Sequence, residues 1–435
     1  MSTEAFQSTI ELQSNPGTPV EVPESAFSLP PVDHGKHAYL FLASCVMLEG
    51  ICWGFPSVFG IFQDYYSSHE PFASSNNIAV IGTCAMGVQY LELPVIFAIL
   101  KTWPRLRRWS NIGGLLIMCL SLGLGSFAKT VDQLIATQGV LFAIGGGFAW
   151  TPILFYINEW FVQKLAFAFG VIMAGFGLAG MILPLVVQWL LTNYGYQTTL
   201  RVCSVIIFIL VAPFLFFFKP RLPDSQANHS RRLHLSFWLT PVFALSQLGN
   251  IIESLGYFLP PLYLPIYARS LGAGKFLSTL TIILLNGAAA VGNIVMGILA
   301  GRFHFTTCIT ISTIGTTLAV FLLWGLSESL PTLYIFCIMY GLFASCWAST
   351  WAGITRDVIK KKENADTGMI FASLAAGKGI GNVVSGPLSE ALMNSGSWKN
   401  AAFAYGSGYG TLIAFTGITA LFGGCSLVGR KAKWF

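Results

Sequence analysis

The chain has 435 residues, of which 54% are apolar and only 10% charged, and its mean hydropathy is +0.67. That is too little polar surface to cover a water-soluble globule, so the composition excludes a soluble enzyme and predicts an integral membrane protein. The formal net charge of +6 lies in loops beside apolar runs, where it meets anionic lipid, and it does not point to a nucleic-acid partner.

Residues 1–36 are polar and rich in Ser, Pro and Glu, with no apolar signal-peptide core, which predicts a disordered cytosolic N-terminal tail. Twelve apolar segments follow, near 38–62, 77–100, 111–127, 133–157, 167–191, 200–218, 239–264, 276–300, 308–326, 332–354, 366–392 and 401–428. Each has the length of a membrane-spanning helix and lacks the ten-residue alternation of a barrel strand. The fold class expected is an all-α membrane protein with twelve transmembrane helices in two pseudo-symmetric six-helix halves. Residues 37–218 would form the first half, 219–238 a basic cytoplasmic loop with Pro220 and Pro223, 239–428 the second half, and 429–435 a cytosolic tail. With both termini inside, 18 of the 24 Lys and Arg fall on the cytoplasmic side, five on the outer side, and one, Lys378, within a segment. A multi-pass plasma-membrane protein is expected, with the vacuolar membrane as the alternative.

In the first segment, Glu49-Gly-Ile-Cys-Trp53-Gly-Phe-Pro56 places a carboxylate, an aromatic and a proline at a spacing that recurs in the seventh as Glu253-Ser-Leu-Gly-Tyr257-Phe-Leu-Pro260. Helical geometry sets Trp53 and Tyr257 one turn beyond the acids on the same face. Acids at such depth either bind substrate or carry protons, or are structural groups satisfied by neighbouring helices. Glu92, in Tyr90-Leu-Glu-Leu-Pro94, reads as structural. The fifth segment carries Ala174-Gly175-Phe176-Gly177 with Pro184 downstream, and the eleventh carries Ala376-Gly377-Lys378-Gly379 with Pro387. Small residues such as Gly170 and Gly175 let helices approach closely. Lys378 needs a counter-charge, and Glu49 or Glu253 could supply it; the lysine either serves a substrate cavity or belongs to a fixed structural pair. Trp347 and Trp351, four apart in the tenth segment, form either an aromatic wall for a flat substrate or a surface buried against other helices.

The nine cysteines sit in or beside apolar segments with no CxxC pair and no clustering with His, so neither a disulfide framework nor a metal site is expected. Asn228-His-Ser230 matches a glycosylation acceptor but falls on the cytoplasmic side. No Gly-x4-Gly-Lys-Ser/Thr segment is present, which argues against ATP-driven pumping by this chain. The histidines are scattered and Arg356-Asp357 is an isolated loop pair, which disfavours a polytopic membrane transferase.

Several stretches resemble one family. Asp33-His-Gly35-Lys-His-Ala38-Tyr39, ahead of the first segment, is similar to the D-G-G-x-x-A-W motif of fungal proteins related to monocarboxylate transporters, a branch of the major facilitator superfamily. Trp160-Phe161-Val-Gln-Lys164-Leu-Ala-Phe-Ala168-Phe-Gly170-Val-Ile-Met-Ala174-Gly175 resembles that family's Y-F-x-K-R-R-x-L-A-x-G-x-x-x-A-G segment, and Tyr263-Leu-Pro265-Ile-Tyr267-Ala268-Arg269 its seventh-helix exit. The resemblance implies a secondary transporter working by alternating access, with no cofactor and no catalysis. Its partners would be a small organic solute, the lipid bilayer and, as a candidate co-substrate, protons. A transporter-like receptor that binds without moving its ligand has the same sequence signature.

The chain also departs from the family. The acid of the ion-pair latch expected after the second segment is missing beside Lys101, Arg105, Arg107 and Arg108, and Gly301 replaces it beside Arg302, so both gating latches are expected to be weak. Ser57 and Asn293 occupy places where relatives have a substrate-binding lysine and arginine. A bulky, carboxylated or secondary-metabolite-like solute is therefore expected over lactate, with Glu49, Trp53, Ser57, Glu253, Tyr257, Asn293, Trp347, Trp351 and Lys378 as candidate site residues. Arg107, Arg108, Arg302, Lys164, Gly170 and Gly175 are the gating and motif candidates.

Overall fold

A computed structural model describes residues 29–73, 75, 77–222, 233–394, 398 and 401–431. Residues 1–28 of the expected tail, 223–232 of the central loop with Asn228-His-Ser230, Arg231 and Arg232, and also Lys399 and Lys433, lie outside the described residues. Among the described residues the secondary structure is helical and contains no strand.

The first pass comprises α1 (Lys36–Cys52), α2 (Gly54–Ser57) and α3 (Phe59–Ser68), and α4 (Ile78–Thr102) and α5 (Pro104–Gly125) follow. Next come α6 (Val131–Leu134), a π-helical turn, α7 (Phe142–Trp150), α8 (Ile153–Trp160) and the long α9 (Leu165–Leu215). Beyond the central loop lie α10 (Pro241–Tyr257), α11 (Leu259–Ser270), α12 (Lys275–Arg302), α13 (Phe305–Leu318) and α14 (Leu330–Ala344). A 3₁₀ run over Ser345–Thr350 leads into α15 (Trp351–Lys361), then α16 (Thr367–Asn394), α17 (Gly410–Gly423) and α18 (Ser426–Lys431). Eight of these continuous runs are long and apolar enough to cross a membrane.

Three boundaries differ from the sequence reading. The third apolar segment begins at Pro104, not 111, because proline suits a first helical turn and Arg105, Arg107 and Arg108 extend that turn past the apolar stretch. No loop separates the fifth segment from the sixth: α9 has 51 residues, roughly 75 Å if straight, against a hydrocarbon core of about 30 Å. Gly195 breaks it at φ 73°, a left-handed conformation that a Cβ would strain, and the chain doubles back. Gly175 on one arm consequently meets the Val46 carbonyl, while the Phe214 carbonyl on the other accepts a hydrogen bond from Ser44, 2.9 Å away, in the same helix as Val46. The last segment is α-helical only over Gly410–Gly423 and Ser426–Lys431, preceded by a 3₁₀ run over Phe403–Ser407 that ends at the left-handed Gly408.

The passes alternate in direction, so Lys36, Lys101, Lys164, Arg302 and Lys361 gather at one end of the bundle, hereafter the basic face. Residues before and after the central loop meet along two seams. In one, α9 packs on α12 so closely that a Cβ at Gly177 would stand 2.6 Å from the Asn286 carbonyl oxygen. In the other, α4 packs on α16, where a Cβ at Gly379 would stand 2.5 Å from Tyr90 Cβ.

Candidate functional site

The helices that carry the repeated motif, read from the sequence as continuous spans, break at its prolines. Proline at position 56 offers no N–H to the Cys52 carbonyl and crowds it, and α1 ends at Cys52. Pro260 does the same to Gly256, and α10 ends one residue on, at Tyr257. Pro152 likewise frees the Phe148 carbonyl, which accepts a hydrogen bond from Ser110 Oγ at 2.5 Å. The second half repeats this without a proline: Ser312 Oγ donates to the Phe343 carbonyl at 2.6 Å, just before the 3₁₀ run. Four interrupted helices thus bound the centre, to which the continuous α4 and α16 add Tyr90 and Lys378.

Glu49 and Glu253 are both buried, 4% and 6% exposed, but their partners differ, and Glu253 Oε2 has no hydrogen-bond partner among the described residues. Trp150 Nε1 donates to Glu49 Oε2 at 2.5 Å. Lys378 Nζ lies 3.9 Å from Glu253 Oε2 and 3.7 Å from the centroid of the Tyr257 ring, so the ammonium is held by a carboxylate and an aromatic face. Of the three acids considered, Lys378 therefore approaches Glu253. Glu92 is half-buried over Gly147, and its Oε1 has no hydrogen-bond partner among the described residues.

An aromatic cluster joins the two acids. Trp53 lies against Tyr90, with centroids 4.2 Å apart, and meets Trp150 edge-on at 6.0 Å; Tyr90 in turn packs on Gly379, next to Lys378. Tyr257 OH is 3.4 Å from Ser345 Oγ, and its carbonyl accepts from Tyr340 OH at 3.1 Å. Trp150, Tyr90 and Ser345 were not legible as site residues. An indole N–H in an apolar run, needing a buried acceptor, was the signal for Trp150.

Other candidates lie apart from this group. Ser57 Oγ donates to the Gly54 carbonyl at 2.6 Å, and Asn293 Oδ1 accepts from Ser349 Oγ at 2.8 Å in the α12 seam. Gly170 lies in that seam, facing Asn293 and Gly297, whereas Gly175 packs on Val46. Trp347 and Trp351 do not lie in one continuous α-helix. Trp347 lies in the 3₁₀ run, where a turn takes three residues and positions four apart fall out of line. Trp351 meets Phe371 edge-on at 5.1 Å, and neither indole N–H has a hydrogen-bond partner among the described residues.

At the basic face the acid missing beside Lys101 comes from a distant part of the chain. Lys101, at the end of α4, pairs with Asp366, just before α16, so this contact crosses between the two parts of the chain. Asp357 on α15 takes His304 Nε2 and Lys360 Nζ, each at 2.8 Å, while Arg302 is exposed. At the opposite end Arg269 Nη1 and Asp64 Oδ1, both exposed, lie 3.7 Å apart across the same divide. Arg107 is buried with its guanidinium 4.0 Å from the Phe155 ring centroid, and Arg108 is exposed. The motif around Asp33 is a clamp: its carboxylate accepts the backbone N–H groups of Val162, Gln163 and Lys164 at 3.0, 3.0 and 2.8 Å. Burial opposes ionisation there, but those three N–H bonds and the Lys164 charge outweigh it and hold the carboxyl below the usual carboxylate range. Among the described residues no group of His, Cys, Asp and Glu could hold a metal.

These interrupted helices and close seams fit a family of membrane transporters whose sequence model, Major Facilitator Superfamily, matches residues 42–365 and 247–431. The chain belongs to the major facilitator superfamily. It is similar to the MFS transporter asaE of Aspergillus flavus, with 24% identity over 426 residues, 97% of this chain and 92% of that protein. It is also similar to the aspyridones efflux protein apdF of Emericella nidulans, 24% identical over 98% of this chain and 84% of the relative. The agnestins efflux protein AgnL12 of Paecilomyces divaricatus is 24% identical over 89% and 90%. As a superfamily member the chain is an integral multi-pass membrane protein whose partners are a small molecule and the surrounding lipid.

Proposed function

We propose that this protein is a secondary transporter that exports a bulky, partly aromatic organic acid or related metabolite by alternating access. Twelve spans in two six-helix halves, 37–218 and 239–428, would rock about the two seams, with the basic face and both termini in the cytosol and the plasma membrane as the site of action. The observation that carries the reading is the buried Lys378–Glu253–Tyr257 group set against Glu49–Trp150–Trp53, with charge and aromatic surface contributed from both sides of the divide. Export is favoured by the relatives named as efflux proteins.

Two carboxylates against one ammonium leave the fully ionised centre with one excess negative charge, so an anion would enter more readily accompanied by a proton. Proton coupling follows as part of the proposal. With Ser57 and Asn293 engaged by protein partners, a small carboxylate has only Lys378 to offset its desolvation, and aromatic contact favours a larger solute. The test is flux in proteoliposomes loaded with extracts from strains lacking or overproducing the protein. A bulky organic acid should move, driven by a pH gradient, and the gradient dependence should vanish in Glu49→Gln or Glu253→Gln. Fast lactate flux indifferent to both substitutions would refute the reading.

A further inference from the structure

A cavity of about 510 Å³ opens between α8, α9, α15 and α16 towards the basic face, away from the Lys378 centre. Its volume is that of a small-molecule pocket, and its walls divide by chemistry. Leu154, Phe169 and Phe371 form an apolar side, with Phe169 and Phe371 stacked at 4.8 Å. Thr355, Arg356 and Glu363 also line the cavity. Thr355 is 4% exposed, and its Oγ1 has no hydrogen-bond partner among the described residues. Neighbouring Lys360 is held by Asp357, whereas Arg356 is in none of the ion pairs formed among the described residues.

Resting on the transport reading, we infer that this cavity is a capture site for a partly aromatic organic anion arriving from the basic face. The anionic group is read by Arg356, and the ring lies against Phe169 and Phe371. Glu363 sets a limit: its carboxylate repels dianions and favours a single negative charge. Phe371 also connects the cavity to the centre, because its ring is 6.0 Å from Trp150, the indole that holds Glu49. A ligand that shifts Phe371 therefore acts on the first-half carboxylate without touching it.

The test places a thiol in the cavity wall by Asn158→Cys and follows its alkylation by N-ethylmaleimide in phosphatidylcholine nanodiscs, read by peptide mass spectrometry. Leu165→Cys serves as a second reporter should the first variant fold poorly. 2-Naphthoate should slow alkylation at lower concentration than the uncharged 2-naphthylmethanol. Adding Arg356→Gln should raise the half-protecting naphthoate concentration about tenfold, the size of one lost charge-assisted hydrogen bond, and bring the two compounds level. No protection at millimolar naphthoate, or equal protection with and without Arg356, overturns the site. So does protection by anionic phosphatidylglycerol alone, which would assign the cavity to lipid. Protection without any vesicle flux would leave the site standing and overturn the transport reading instead.

Discussion

Replacing Lys378 by methionine removes the ammonium while keeping most of the side chain's volume. At 3.9 Å from Glu253 Oε2 the pair interacts by about 4 kcal/mol at an effective dielectric of about 20, and the Tyr257 face adds about 2 kcal/mol. Both side chains are almost wholly buried, 4% and 6% exposed, so little of this is screened. The larger effect is the carboxylate left behind, since stripping one partner from a buried pair costs about 3–5 kcal/mol. Lys378→Met should therefore lose stability of that order, measured by denaturant unfolding of the purified protein in detergent with tryptophan fluorescence as readout. Adding Glu253→Gln should restore most of the loss, because both charges are then gone. Adding Glu49→Gln should restore none, because that acid is held by Trp150, and the two losses should sum to within about 0.5 kcal/mol. A single variant as stable and as active in flux as the wild type, or a stronger coupling to Glu49 than to Glu253, would refute the assignment of partners.

Trp150→Phe keeps an aromatic ring but deletes the N–H at Glu49, and the part of its cost that comes from the lost bond, about 1.5–3 kcal/mol, should be relieved by Glu49→Gln in the same unfolding assay. Lys101→Asp should impair flux by opposing Asp366, and the exchange Lys101→Asp with Asp366→Lys should recover it in proteoliposomes; no recovery would deny that the contact acts by charge. Because its N–H partners hold the Asp33 carboxyl below its ordinary pKa, its stabilising contribution should be complete above the usual carboxylate range. It should be lost as pH falls through the lowered value, a loss seen in acid unfolding and absent in Asp33→Asn. Thiols introduced by Ser68→Cys and Lys361→Cys, both at exposed positions, should react with an impermeant reagent in intact cells at the first and not the second, and the reverse would invert the proposed orientation.

Much of the helical framework was legible because it follows from local chemistry. Apolar length marks most crossings, and the Glu49 and Glu253 motifs each carry the proline at which two of the four central helices break, although the apolar runs themselves read as continuous spans. The other two depend on a partner in a different helix. Ser110 and Ser312 look like ordinary polar residues in apolar runs, and only their neighbours reveal that they satisfy the freed Phe148 and Phe343 carbonyls. The turn at Gly195 falls in the polar stretch 192–199 that separates the fifth segment from the sixth, so its place was legible, but not that a single left-handed residue makes it while helix continues on both sides.

The same division explains the site. A buried charge announces that it has a partner but not which one, so Lys378 could be singled out while Glu253 and Glu49 stayed equal candidates. What separates them is the packing of α7, which brings the Trp150 N–H to Glu49 and leaves Glu253 for the ammonium. The repeat thus conserves spacing while the partners diverge, one acid held by a neutral donor and the other by a cation. The Lys101 latch follows this logic too: a search beside Lys101 finds no acid, because Asp366 is 265 residues away in the chain and reaches Lys101 only when α16 packs on α4. A contact of that kind cannot form while the two parts separate at the basic face, and so it is suited to hold that end closed.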